Sequence, residues 1–209
     1  MQATNDVSNM IMNLSESQCA PQSLVDMTCQ NANIDKEHAR AVANTIRALA
    51  TDPGPPNVLP SLAIPALTLV PASRPPPGSN VLKQTYDLAC ASNRFAQDRS
   101  IGSMLAGPGS ESDEFADIGF WCGEINESDK ETSILKSLSL DSWADKGTIT
   151  RMDSQTLRKS EMWELCEALS ELLQFRVRRP DDSRVLHVMA GKGQAGWCGM
   201  IGVGIWSDE

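Results

Sequence analysis

The chain has 209 residues, a formal net charge of −9, 41% hydrophobic and 22% charged side chains. That length admits one domain with an appendage or two small ones, and the composition is that of an ordinary globular protein. Its negative balance argues against nucleic acid and anionic membrane as partners, because both are held mainly through Lys and Arg.

At the amino end, MQATNDVSNMIMNL carries no basic region followed by an apolar run, and no stretch of 18 apolar residues occurs anywhere. Neither a secretory signal nor a membrane span is expected, and a cytoplasmic location is the default, with the nucleus open. Val7, Met10, Ile11 and Leu14 fall on one helical stripe. A short helix follows over Ser23 to Gln30, then a longer one from Asp35 to about Ala50, with Ala39, Val42, Ile46 and Leu49 on its apolar face. Residues 1–52 are thus expected as a helical segment.

Nine of the twelve prolines fall between Pro53 and Pro77. Proline fixes φ, lacks a donor and disfavours the helical region for the residue before it. Residues 53–79 are therefore expected as a spacer that belongs to no continuous helix or internal strand, read as an ordered crossing strand or packed coil, with a docking peptide or plain disorder as the alternatives. Its aliphatic residues (Leu62, Leu67, Leu69 and Val70 among them) suggest that it lies along the folded part or a partner.

Residues 80–209 are expected as an α+β domain: a small antiparallel sheet with one long packed helix in the C-terminal half. Asn80 to Asp98 reads as helix, and Ile118 to Ile125 as strand. Thr132 to Leu140 is ambiguous, and Ser154 to Gln174 gives the strongest helical stripe, through Leu157, Met162, Leu165, Cys166, Leu169, Leu172 and Leu173. FRVRR and RVLHVM flank a Pro-Asp-Asp-Ser turn at 180–183, and Trp197 to Trp206 reads as a last, glycine-weakened strand. Between Glu111 and Glu131 stand eight acidic residues against one lysine, a solvated face or a contact surface for a basic partner.

Chemical signals are sparse. Without a signal peptide the six cysteines are expected as free thiols, and no C-x-x-C spacing or histidine pair suggests a metal site. Trp121-Cys122-Gly123 recurs as Trp197-Cys198-Gly199. If those strands pair, both cysteines are expected on one side and both tryptophans on the other. Cys198 and His187 are the only nucleophile–base combination worth naming, and no third residue orients them. Gly191, Lys192 and Gly193 open a G-x-G-x-x-G pattern, but no helix follows to hold a pyrophosphate, so no cofactor is expected. Arg176, Arg178, Arg179 and Arg184 form a positive exception around the predicted hairpin, suited to an acidic partner or to the acidic run of the same chain.

The resulting expectation is a soluble, non-enzymatic protein-interaction or regulatory protein, with homo-oligomers open. Its alternative is a small transferase or hydrolase with a site near 187–200.

Overall fold

In the computed structural model the proline-rich segment enters the sheet. The structure describes residues 10–13, 25–26, 35–50, 61–64, 67–110, 114–152 and 166–206. Its strands are β1 (Met10–Asn13), β2 (Ser61–Ile64), β3 (Thr68–Val70), β4 (Ile118–Gly123), β5 (Thr148–Arg151), β6 (Ser170–Arg178), β7 (Arg184–Gly193) and β8 (Gly196–Ile205). They form one eight-stranded sheet in the order β1-β2-β3-β4-β8-β7-β6-β5. The β3–β4 pair is parallel and every other pair antiparallel.

Strands fit within residues 53–79 because the prolines fall at their ends. Pro60 and Pro65 bracket β2, while Pro65 and Pro71 bracket β3, so neither strand loses a ladder donor. Leu62 pairs with Leu69, and both are fully buried. Leu62, Leu67, Leu69 and Val70 therefore fill this protein's own core. The amino-terminal stripe is also corrected: Met10–Asn13 is an edge strand on β2, not helix.

Four helices complete the described residues: α1 (Lys36–Ala50), α2 (Ser79–Asp98), α3 (Lys130–Ser137) and α4 (Asp141–Lys146). Asp35 caps α1, its Oδ1 accepting from the His38 backbone N–H at 2.8 Å. The α1 residues Ala39, Val42, Ala43, Ile46 and Leu49 join Ile134, Leu135 and Trp143 from α3 and α4 in the main core. That core covers one sheet face, where Phe120, Phe175, Val188 and Ile201 project. The other face carries α2, which makes the crossover that a parallel β3–β4 pair requires.

The expectation of a small antiparallel sheet built on one long C-terminal helix is overturned. The sheet is mixed, and the longest described helix, α2, has 20 residues and lies in the middle of the chain. Of the expected helix from Ser154 to Gln174, residues 154–165 lie outside the described residues, 166–168 form a turn and 170–174 belong to β6. Leu169, Leu172 and Leu173 share helical spacing, but Leu173, Phe175 and Val177 alternate inward at a period of two, and the strand pattern wins. The hairpin around 180–183 and the last strand fall where the sequence puts them, whereas α4 and β5 have no counterpart in the sequence reading. Residues 179–183 connect β6 to β7, and β8 runs antiparallel beside β7.

A buried carboxylate ties the second face together. Asp117, just before β4, accepts from Ser92 Oγ at 2.6 Å, Ser103 Oγ at 2.5 Å and the Met104 backbone N–H at 3.1 Å. The Asn93 amide bonds both backbone groups of Asp117 at 2.8 Å. The 103–106 loop is thereby pressed onto β8, where a side chain at Gly202 would collide with Asp117 Oδ1 and Ser103 Oγ. This accounts for a glycine inside a buried strand. Among the described residues no helix is long and apolar enough to cross a membrane.

Candidate functional site

The four arginines separate into two pairs. Arg179 and Arg184 turn inward: Asp182 bonds both, and the Arg179 guanidinium lies 4.0 Å from the ring centre of the buried Trp143. Arg184 also donates to the Ala48 carbonyl at 3.2 Å, near the end of α1. Burial acts to raise the Asp182 carboxyl, but the hydrogen bonds from Arg184 and Arg179 outweigh it and hold the group at about 2. These two arginines brace the turn.

Arg176 and Arg178 point to the other sheet face. Thr150 stands opposite Arg176, which stands opposite His187; Thr148 stands opposite Arg178, which stands opposite Val185. Directly opposed residues share a face, so Thr148, Thr150, Arg176, Arg178 and His187 make one polar strip across β5, β6 and β7. Thr148 and Thr150 are exposed, the arginines half-buried, and His187 only 7% exposed. Burial first, then the positive charge of Arg176, pushes His187 down to about 4. Its Nε2 is buried without a hydrogen-bond partner among the described residues.

Cys198 and His187 are not brought together. Cys198 pairs with Gly191 and His187 with Gly202. That is four residues along the ladder, or about 13 Å at 3.3–3.4 Å per residue, too far for a nucleophile and its base. Burial also pushes the Cys198 thiol up to about 11 and those of Cys122 and Cys166 up to about 12, so none is a thiolate at neutral pH.

The G-x-G-x-x-G run is a hairpin. Gly193 pairs with Gly196, and Gln194 and Ala195 form the turn. Gly196 has φ +102°, and a Cβ there would lie 2.5 Å from the Gly123 backbone, so only glycine fits. Lys192 joins an ion cage with Glu127, Glu171 and Lys130, whose ammonium lies 4.8 Å from the Trp197 ring centre. Glu171 reaches this cage from φ +51° at a bulge in β6.

The two Trp-Cys-Gly strands do pair, with a different outcome from the expected one. Trp121 opposes Cys198 on the α2 face, while Cys122 and Trp197 project into the main core. The antiparallel register matches Trp121 with Cys198, and the shift after Trp121 sets Trp197 opposite Gly123 and leaves Cys122 without a partner in the ladder. Arg74 seals the irregularity beside Gly123, donating to the Cys122 and Glu124 carbonyls at 3.1 and 2.9 Å.

Two concavities flank α2. A polar cleft of about 510 Å³ is lined by His38, Asn93, Gln97 and Asp35, with Gln97 Nε2 3.0 Å from His38 Nδ1. Burial lowers the His38 imidazole against the opposing pull of Asp35. On the other side, a groove of about 600 Å³ runs between the first turns of α2 and the 166–169 turn, over Cys198. The relation of His38 to Gln97 spans 59 positions and the groove joins α2 to residues 168–169 and 198, so neither concavity has a local signal. No group of three His, Cys, Asp or Glu suited to a metal ion occurs among the described residues. Compared with known protein families, characterised proteins and solved structures, the chain shows no match.

Proposed function

We propose that this protein is a non-enzymatic binding module that takes up an extended acidic segment of a partner protein along β5. The observation that carries the reading is the Thr150–Arg176–His187 row beside a strand at the edge of the sheet. An edge strand offers backbone N–H and C=O groups that an incoming strand completes, and neighbouring side chains supply selectivity. Arginine matches a carboxylate with two parallel hydrogen bonds. On a chain of net charge −9, a local positive strip attracts acidic sequence while the surrounding charge repels it, which fixes where the segment docks.

The test uses a fluorescently labelled peptide of alternating Glu and Thr, followed by anisotropy at low and high salt. Binding is expected to weaken with salt and to fall about tenfold or more in Arg176→Glu. A peptide of the same charge with proline at every second position is expected not to bind, since it cannot form a ladder. Equal binding of both peptides, or equal binding to both proteins, rules the reading out.

A further inference from the structure

The groove beside α2 makes no use of the arginine strip and has different chemistry. Its walls are Leu88 and Ala91 of α2 on one side and Ala168 and Leu169 on the other, with Cys198 as floor. Behind the floor, Trp121 and Leu169 pack with Cys198 in one apolar cluster. The volume of about 600 Å³ lies within the range of small-molecule sites, which are concave and mostly apolar with a few polar groups. Its position agrees with a general rule of sheets containing parallel strands: the crossover helix α2 starts after the carboxyl end of β3, and Cys198 lies opposite Trp121 in the second half of β4. Crevices outside the carboxyl ends of parallel strands are where ligands settle.

The rim decides the ligand's charge. Lys83 and Asp87 pair with each other at 2.5 Å, one turn apart on α2, and so cancel. The other polar groups at the rim are carboxamides, including Gln84. Thr85 also lines the groove, but its hydroxyl is spent on Thr68 and on the Val81 and Leu82 carbonyls. The Lys83–Asp87 pair carries no net charge, so the rim offers no excess charge to a cationic or anionic head, whereas a neutral head can bond the amides.

We propose that this groove binds a neutral small molecule with an apolar body and one hydrogen-bonding end, the body lying over Cys198 and the polar end at the α2 rim. The probe is N-phenyl-1-naphthylamine, whose emission rises in an apolar site. Saturable one-to-one binding is expected, displaced by 1-decanol but not by equal concentrations of decanoate or decyltrimethylammonium. Ala91→Trp and, separately, Ala168→Trp fill the groove from opposite walls. Each is expected to weaken the probe about tenfold or more while leaving the acidic peptide unaffected. In the wild-type protein, saturating probe is expected to slow N-ethylmaleimide modification of Cys198 selectively, as followed by peptide mass spectrometry. That measurement needs no variant to fold. Unsaturable binding, equal displacement by the charged amphiphiles, or unchanged Cys198 modification overturns the proposal. None of these outcomes bears on the arginine strip.

Discussion

Trp121 stands directly across from Cys198 in the β4–β8 ladder, while Cys122, the neighbour of Trp121, faces the opposite layer. The sheet itself therefore keeps Cys122 and Cys198 apart, and the buried thiols of Cys122, Cys166 and Cys198 are held protonated. With iodoacetamide at pH 7.5, Cys122, Cys166 and Cys198 are expected to react about a hundredfold more slowly than in urea, and Cys90, half-buried on α2, faster than those three. Mass spectrometry after timed quenching checks this. Preferential reaction at Cys198 would restore the nucleophile reading.

Asp117 is the acceptor that four donors share, so its removal strands them in the core. Asp117→Ala is expected to destabilise the protein by about 3–5 kcal/mol in urea unfolding. Gly202→Ala attacks the same contact from the strand side and is expected to cost about 1–3 kcal/mol through overpacking. The two losses are expected to be less than additive, since the alanine at 202 no longer meets a carboxylate once Asp117 is gone. Full additivity would mean that the sites do not touch.

His187 makes stability depend on pH. Its folded value of about 4 lies below the unfolded value near 6.5, so the unfolded chain binds the proton more tightly. Stability is fully present above pH 6.5 and falls progressively toward pH 4. At pH 4.5 the loss from this residue amounts to about 2–3 kcal/mol. His187→Asn is expected to flatten that part of the curve. In Arg176→Ala the loss is expected to shrink, because one of the two causes of the depression is gone. Identical urea midpoints against pH for wild type and His187→Asn would refute the assignment.

Arg179 acts through its plane as well as its charge. It stacks on Trp143 while bonding Asp182, and Asp182 in turn orients Arg184. Arg179→Ala is expected to cost about 2–4 kcal/mol. Arg179→Lys is expected to recover less than half of that loss, since an ammonium cannot stack flat and bond sideways together. Near-complete rescue by lysine in thermal unfolding would reduce the role of Arg179 to simple charge.

What could be read from the chain followed the locality of each signal. The helix starting at Asp35, the helix after Ser79, the strand at Ile118 and the turn at 180–183 are each specified by residues a few positions apart. Two misreadings arose where local patterns compete. Leucines at 169, 172 and 173 imitate a helical stripe, although 173, 175 and 177 also satisfy a strand, and only the pairing with β7 decides between them. Likewise, the prolines mark strand ends as readily as they forbid strands, and only the neighbours of β2 and β3 show which applies. For the arginines, sequence gave the cluster but not its division, because alternation sends 176 and 178 to one face while the turn folds 179 and 184 back on Asp182. The Asp117 network draws on residues 12 to 25 positions away and both concavities join segments farther apart still, so no helical or strand period reveals them.

Because β3 is the parallel neighbour of β4, the proline-flanked strands β2 and β3 act as a cover for the middle of the molecule. A shortened protein begun at α2 would leave the flank of β4 without its companion, with the backbone groups around Phe120 open to any passing chain. Such a fragment invites edge-to-edge sticking, so work on the isolated carboxyl-terminal part calls for a start ahead of residue 61.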